Sequence, residues 1–142
     1  MTKTILVTGS SRGLGATIAR TLASEGHQVI INYHNSKALA EQLVAEIGAE
    51  QAIAIQADVT NRAEVDQLID EGTKHFGKID VVVNNALVNF KFDPAKQKAF
   101  VDLAWEDYQQ QIDGTLKAAF NIVQSVAPQF IERKQGAVIS IG

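Results

Sequence analysis

The sequence contains no cysteine, which excludes disulfide bonds and thiol nucleophiles and is typical of a protein in a reducing compartment. It also lacks an apolar stretch long enough to cross a bilayer, and Met1 leads into a predicted strand with no secretory signal between them. These absences predict a cytoplasmic protein that has no membrane partner.

Basic residues are outnumbered by acidic ones, 13 against 16, so the formal net charge is −3. No predicted helix gathers Lys and Arg on one face, and we therefore expect no nucleic-acid partner. The three histidines, His27, His34 and His75, share no helix-face spacing, so the sequence predicts no metal site.

What is present is an ordinary globular composition, 46% hydrophobic and 20% charged over 142 residues, enough for one domain with a buried core. Short apolar runs alternate with helical periodicity from end to end. This alternation predicts an α/β fold of the Rossmann type, a doubly wound parallel sheet of about five strands with helices on both faces. Ligands of such a sheet bind outside the carboxyl ends of the strands.

The periodicity places predicted strands at residues 5–7, 29–31, 52–55, 79–83 and 137–141. The second helix is expected to be capped by Ser36 and the third by Thr60 or Asn61. Residues 94–100 predict a short helix, and 105–133 predict a longer one that Pro128 kinks or restarts.

The fifth predicted strand would lie at an open edge of the sheet, because Val138, Ile139 and Ile141 follow the fourth strand with nothing to cover them. We therefore expect that the natural sheet continues beyond Gly142, so that the chain is truncated after its fifth strand, or that a partner covers this edge.

A glycine-rich turn joins the first strand to the first helix and reads Thr8-Gly9-Ser10-Ser11-Arg12-Gly13-Leu14-Gly15. Glycines let the backbone approach a ligand, and free N–H groups at a helix start carry partial positive charge. The spacing is not the commoner Gly-x-Gly-x-x-Gly, but its position between a strand and a helix favours a pyrophosphate site over a turn that binds nothing. Residues 1–142 are thus predicted to be a dinucleotide-binding domain.

The end of the second strand bears on the choice of cofactor. An enzyme that uses NAD commonly has a carboxylate there, which holds the ribose 2′-hydroxyl, whereas this sequence reads Asn32-Tyr33-His34-Asn35. No acid is present to repel a 2′-phosphate, and the guanidinium of Arg12 could reach one. The sequence therefore favours NADP(H) over NAD(H); the alternative for Arg12 is a solvated cation at a helix start.

Polar residues follow the third and fourth strands as well. Asp58, with Val59 beside it, is placed to accept a hydrogen bond from the adenine amine, or else to serve as a turn residue ahead of Thr60. Asn85 and Ala86 are expected to contact the nicotinamide ribose. Asn84 is expected to bond neighbouring backbone.

In combination these motifs resemble the short-chain dehydrogenase/reductase family, and within it the 3-oxoacyl-acyl-carrier-protein reductase type. The glycine-rich turn resembles the family's cofactor motif, Asp58-Val59 its adenine-contacting pair, and Asn84-Asn85-Ala86 most of its Asn-Asn-Ala-Gly motif. The resemblance implies hydride transfer between NADP(H) and a carbonyl, such as a 3-oxoacyl thioester on acyl carrier protein. It also implies a homo-oligomer, often a tetramer, formed through the long helix after Trp105.

The chain departs from the family pattern at two positions. Leu87 stands where the family has glycine, near the expected nicotinamide end, and Gln111 stands where the family has the asparagine of its proton relay. The resemblance implies a catalytic Ser and a Tyr-x-x-x-Lys pair that would follow Gly142 and are absent from this chain. If the chain is the whole molecule, we expect nucleotide binding with little or no turnover. The alternatives are a non-catalytic NADP-binding module, a subunit completed by a partner, or a nucleotide-binding methyltransferase.

Several aromatic and polar residues allow two interpretations. Tyr33 and Lys37 have Tyr-x-x-x-Lys spacing but follow the second strand, so we interpret the spacing as coincidence. Tyr108 is expected to pack beside Trp105. Three phenylalanines could line an apolar substrate site, or could pack against the core: Phe90, Phe92 and Phe100.

Overall fold

The computed structural model describes residues 1–87 and 93–142. The chain forms β1 (Thr4–Val7), α1 (Gly13–Ser24), β2 (Gln28–Tyr33), α2 (Lys37–Ile47), β3 (Ala52–Gln56), α3 (Arg62–Phe76) and β4 (Val81–Asn84) in alternation. After the 3₁₀ turns Pro94–Lys96 and Phe100–Asp102 come α4 (Trp105–Ile112), a π-helical segment (Asp113–Lys117), α5 (Ala118–Arg133) and β5 (Ala137–Ser140).

The five strands form one parallel sheet in the order β3-β2-β1-β4-β5. The predicted fold class is therefore confirmed, since strands that alternate with helices have joined a single parallel sheet. β1 is central, with β2 on one side and β4 on the other. The strand order thus reverses at β1, and such a reversal opens a crevice at the carboxyl ends of the strands.

Alternate side chains of the strands feed two apolar layers, one on each face of the sheet. Leu6, Ile30 and Val82 pack with residues of α3 and α5, whereas Val7 and Ile31 pack with residues of α1 and α2. All five of these residues are fully buried, with 0% exposure. The near-continuous apolar runs of the strands follow from this arrangement, because both faces of a covered parallel sheet are buried.

The helices differ from prediction in three places: the cap of α2, residues 94–100, and the long helix after Trp105. Ser36 occupies the position before α2 but its side chain makes no capping hydrogen bond, whereas Asn61 caps α3 as predicted. Residues 94–100 form no continuous helix; one 3₁₀ turn covers Pro94–Lys96 and a second begins at Phe100.

The long predicted helix is interrupted at Asp113–Lys117 and not at Pro128, which lies inside the uninterrupted α5. Within the interruption the N–H of Ala118 donates to the carbonyl of Asp113, five residues back, which is π-helical geometry. The hydroxyl of Thr115 donates to the carbonyl of Gln111 at 2.6 Å. A hydroxyl bond of this kind competes with the backbone for the carbonyl and disturbs the regular helix.

β5 lies at one edge of the described sheet, as predicted, and its four residues are all exposed. Val138 and Ile139 are 42% and 49% exposed. The expectation that a continued sheet or a partner covers this edge stays a prediction. In the described part of the chain, no helix combines the length and the apolar character needed to cross a membrane.

Candidate functional site

The glycine-rich turn between β1 and α1 lies against the segment that follows β4. Gly9 has φ +59°, and a Cβ atom added there would lie 2.8 Å from the Cα of Ala86. A Cβ on Gly15 would lie 2.6 Å from both Asn85 Nδ2 and the carbonyl oxygen of Gly9. Neither position has room for a side chain, so the two glycines permit the close approach of two backbone segments.

The start of α1 offers backbone N–H groups without a side-chain cap. Arg12 precedes the helix and makes no capping bond through its side chain, and the first turn contains no acidic residue. The first N–H groups of a helix have no intrahelical partner and favour an anion. Arg12, Gly13 and Leu14 are exposed and Ser11 is half-buried, so this helix start faces outward.

Ser10 and Asn32 hold the turn from inside. Ser10 is 0% exposed, and its hydroxyl donates to the carbonyl of Val7 at 2.7 Å. Asn32 is 2% exposed, and its Oδ1 accepts from the N–H of Gly9 at 3.0 Å. This placement favours a supporting role for both side chains over the predicted contact with a cofactor. Of the two residues that follow, Tyr33 is buried against the α1–α2 layer and His34 is exposed.

Thr8 joins the turn to the residues after β4. Its Oγ1 accepts from the N–H groups of Asn85 and Ala86, each at 3.0 Å, while Asn85 Nδ2 donates to the carbonyls of Thr8 and Gly9, each at 3.2 Å. The Asn85 amide nitrogen is thereby engaged within the protein, and a contact of this residue with a ribose stays a prediction.

Asn84 does not bond neighbouring backbone through its amide, and that expectation was wrong. Its Nδ2 is buried and has no hydrogen-bond partner in the structure. Asn84 pairs with Ser140 of β5 in the sheet, and both residues line the cavity described below. Asn85, one residue on, has the backbone-bonding role instead.

Asp58 follows β3 and forms a local turn with Thr60. Its Oδ1 accepts from the hydroxyl of Thr60 at 2.6 Å and from its N–H at 2.9 Å. Burial opposes ionisation of the Asp58 carboxyl, but these hydrogen bonds, with the positive charges of His34 and Lys117, outweigh it and lower the pKa of Asp58. The turn with Thr60 is therefore present, and a contact of Asp58 with adenine stays a prediction. The next residue, Val59, accepts from Asn121 Nδ2 through its carbonyl at 3.0 Å.

A cavity of about 310 Å³ opens beside the ends of β1, β4 and β5. Its polar groups in the described part of the chain are the hydroxyls of Thr8, Thr115 and Ser140 and the amide of Asn84, and the other lining side chains are apolar. Such a space suits a small, largely apolar molecule that carries a hydrogen-bonding group. No group of three or more His, Cys, Asp or Glu side chains that could hold a metal occurs in the described ranges.

The comparisons with known proteins agree with this geometry. Residues 3–142 match the profile of the family described as short chain dehydrogenase. This chain belongs to the short-chain dehydrogenase family. It is 41% identical over 143 residues to the 3-oxoacyl-acyl-carrier-protein reductase FabG of Staphylococcus epidermidis, and this match covers 99% of the chain and 56% of the relative.

Solved structures of short-chain dehydrogenases share the fold. A putative 3-oxoacyl-reductase from Bacillus thuringiensis is 28% identical with a TM-score of 0.88, over 100% of this chain and 58% of that one. A blue fluorescent protein from a metagenomic library, solved in complex with NADPH, is 31% identical with a TM-score of 0.81, over 99% of this chain and 55% of that one. The chain spans about half the length of the relatives that it matches.

The two departures from the short-chain dehydrogenase pattern lie in different surroundings. Leu87 is 70% exposed and lines the cavity. Gln111 is exposed and does not line it, whereas Thr115, one helical turn later, does. The π-helical segment carries Thr115 to the cavity wall. Sequence reasoning missed Thr115; the available signal was a hydroxyl residue four positions after Gln111, beside Gly114 within a predicted helix.

Only one of the three phenylalanines that could line a substrate site or pack against the core lies in the described part of the chain. Phe90 and Phe92 lie outside the residues that the structure describes. Phe100 is 77% exposed and does not line the cavity. Tyr108 stacks on Trp105 with ring centroids 6.4 Å apart, as predicted, although both rings are largely exposed.

Proposed function

We propose that residues 1–142 form the dinucleotide-binding domain of an NADP(H)-dependent reductase, which moves a hydride between nicotinamide and a carbonyl. The observation that carries this proposal is the turn at Gly9–Gly15. Two glycines there exclude side chains, and the following helix presents uncapped N–H groups outward. Together they suit the pyrophosphate of a dinucleotide.

Three groups of residues along the crevice suit three different parts of the cofactor. The N–H groups at residues 11–14 bind the pyrophosphate, Asp58 and Val59 contact the adenine, and the Asn85–Leu87 segment contacts the nicotinamide ribose. The bound cofactor supplies the hydride. The cavity beside β4 orients the carbonyl compound and excludes water from it, since most of its lining is apolar.

The charges near the end of β2 support NADP(H) over NAD(H). No carboxylate stands at residues 32–35, and Arg12 lies at the exposed start of α1. A guanidinium binds phosphate oxygens with charge-assisted hydrogen bonds. A similar chain whose structure was solved in complex with NADPH adds support.

The substrate class, the assembly and the compartment rest on similarity. The relatives named 3-oxoacyl-acyl-carrier-protein reductase favour an acyl-carrier-protein-linked 3-oxoacyl thioester as the carbonyl substrate. We further propose a homo-oligomer in the cytoplasm, associating through the apolar side chains exposed along α4 and α5.

The test of cofactor choice is Arg12→Ala. We expect the Kd for NADPH to rise about tenfold or more and that for NADH about threefold or less, because only NADPH carries the 2′-phosphate. Both are measured by fluorescence titration. Arg20→Ala is the matched control, because Arg20 lies eight residues further along the chain, in α1, and pairs with Glu46 of α2. Equal losses for the two cofactors would contradict the assignment of NADP(H), and absence of binding to either would contradict the proposed function.

A second candidate is a dinucleotide-binding subunit without turnover of its own. The polar side chains of the cavity favour this candidate. In the described residues they are hydroxyls and an amide, and neither kind of group titrates near neutral pH. NADPH oxidation with 3-oxoacyl thioesters separates the two. Binding of NADPH without oxidation supports the subunit, and oxidation supports the reductase.

A further inference from the structure

Asn32 is an enclosed polar side chain beside the glycine-rich turn. It lies on β2 near the carboxyl end of the strand and is 2% exposed. Burying a carboxamide costs free energy unless its polar atoms are hydrogen-bonded. The partners of this side chain therefore indicate why it is tolerated in the core.

The two ends of the Asn32 carboxamide bond to two different segments of the crevice. Oδ1 accepts from the N–H of Gly9 at 3.0 Å. Nδ2 donates to the carbonyls of Ala57 at 3.2 Å and Ile55 at 3.4 Å. Ala57 directly precedes Asp58, so one side chain joins the turn proposed to bind pyrophosphate to the segment proposed to contact adenine.

The main chain of Asn32 holds the same turn one residue further along. Its carbonyl accepts from the N–H of Ser10 at 2.9 Å, and its N–H donates to the hydroxyl of Ser10 at 3.2 Å. The turn is thus attached to β2 at residues 9 and 10. Residues 11–14 carry the proposed ligand-binding N–H groups; of these, Ser11 is half-buried and residues 12–14 are exposed.

These contacts need an acceptor at one end of the side chain and a donor at the other. An ionised carboxylate could accept from Gly9, but it would set a second acceptor against the carbonyls of Ile55 and Ala57. We infer that Asn32 is a positioning residue whose carboxamide holds the glycine-rich turn, against the end of β3, in the form that accepts a dinucleotide pyrophosphate. The ligand in this inference rests on the proposed function, whereas the hold on Gly9 does not.

The substitution Asn32→Asp gives a test that responds to protonation. A neutral carboxyl group can donate through its O–H and accept through its carbonyl, so it can replace the carboxamide, and burial raises the pKa of a carboxyl into a workable range. The Kd is measured for both proteins from pH 5 to pH 8 with NADPH and with NADH, because only a loss shared by the two cofactors is independent of the 2′-phosphate that a carboxylate here would repel. The ratio of variant to wild-type Kd is expected to exceed about ten at pH 8 and to fall towards one at pH 5.

The ratio isolates the introduced group from its surroundings. All other ionisable groups are the same in both proteins, as is the ligand phosphate; they include Arg12 of the turn, Tyr33 and His34 at the end of β2, and Asp58 and Glu64 after β3. Thr4→Val is the stability control, because Thr4 is 1% exposed and bonds Gln28 at the opposite end of the strands. It is expected to lower stability and leave the Kd unchanged.

Each remaining outcome decides the inference. A ratio near one at every pH, or a high ratio that does not change with pH, overturns it, and so does Asn32→Ala if it leaves the Kd unchanged. If the wild type binds no dinucleotide, the proposed function fails, and hydrogen exchange of the Gly9 N–H in the free protein decides the inference. Exchange is expected to be about tenfold faster in Asn32→Asp than in the wild type at pH 8 and similar at pH 5; equal rates at both overturn it.

Discussion

Asp80 is the buried charge at the end of the sheet opposite the candidate site. Its side chain is 6% exposed, its Oδ2 accepts from the N–H of Thr4 at 2.8 Å, and its Oδ1 lies 3.3 Å from Lys78 Nζ and 3.7 Å from Arg133 Nη1. These contacts join β1, the residues before β4 and the last turn of α5. A buried carboxylate with such partners is costly to leave incomplete.

We expect Asp80→Asn to lower the free energy of unfolding by about 2–4 kcal/mol near neutral pH, because it removes the charge while Arg133 and Lys78 keep theirs. Urea unfolding measures the change. Asp70→Asn is the control, since Asp70 pairs with Lys74 on the surface of α3, 71% exposed. It should change the free energy by about 0.5 kcal/mol or less. Equal effects of the two variants would contradict the role of Asp80.

The same residue makes stability depend on pH. Burial opposes ionisation of Asp80, but the Thr4 N–H and the charges of Lys78 and Arg133 outweigh it, so the pKa of Asp80 is lowered in the folded protein. The stabilisation is therefore complete above the unfolded pKa of about 3.9 and is lost as pH falls through the folded value. The stability difference between wild type and Asp80→Asn should shrink between about pH 5 and pH 2; a constant difference would contradict this origin.

At the scale of single residues, the sequence identified where polar groups cluster but not what each one does. Asn32, Asn84 and Asn85 all follow apolar strand runs, yet one is bonded inside the fold, one has a buried amide without a partner, and one holds the turn after β1. The difference depends on which backbone atoms lie within hydrogen-bond distance. Those atoms belong to segments far away in the chain, and local pattern does not contain their positions.

Among the helices, α3 has the clearest start. The Asn61 side chain accepts from the N–H groups of Ala63 and Glu64, at 3.0 and 3.4 Å. Ser36 occupies the equivalent position before α2 without such a bond. Both residue types are common helix caps, so the sequence does not tell them apart.

We expect Asn61→Ala to lower the free energy of unfolding by about 1 kcal/mol, because two N–H groups lose their acceptor. Ser36→Ala is the matched control and should change it by only a few tenths of a kcal/mol, since no capping bond is lost. Thermal or urea unfolding of both variants measures this difference. A larger effect at Ser36 than at Asn61 would contradict the assignment of the caps.

The α4–α5 region shows why an element can be predicted and its irregularity missed. Helical spacing from Trp105 to Arg133 is sufficient to predict the helix, but the π-helical interruption at Asp113–Lys117 has no signal in that spacing. Proline is the stronger breaker by propensity, yet Pro128 lies inside α5 without ending it. A Thr hydroxyl bond to the carbonyl four residues back is no reliable signal either, because Thr73 makes one to Ile69 within the uninterrupted α3.

For the molecule as a whole, the sheet was the most predictable feature, because apolar strands that alternate with helices have few alternatives to a parallel sheet. Which apolar side chains stay exposed on its surface was not predictable in the same way. Large apolar side chains are exposed at intervals from α4 to the residue after β5, and exposed apolar surface is typical of sites of association: Trp105, Tyr108, Leu116, Phe120, Ile131, Val138, Ile139 and Ile141.

We expect the protein to self-associate and Phe120→Glu to weaken that association, because Phe120 is 59% exposed on α5 and a charge there opposes apolar contact. Sedimentation equilibrium should show the average mass of the variant falling towards the 15.4 kDa of one chain. Leu39→Glu makes the same change on α2, where Leu39 is 43% exposed. This variant should have the same average mass as the wild-type protein. Equal effects would contradict an interface on α5.

The central place of β1 has a consequence for the order in which the protein folds. β1 meets β2 through residues 24 apart in the chain, as at Thr4 and Gln28, and β2 meets β3 over 23 residues, as at Asn32 and Ile55. β1 meets the β4 side over 76 residues, as at Thr4 and Asp80. Closing the longer loop costs more chain entropy and is slower. During synthesis the half from β1 to β3 can therefore assemble first. Until β4 is made, the edge of β1 that later pairs with β4 has no hydrogen-bonded strand beside it.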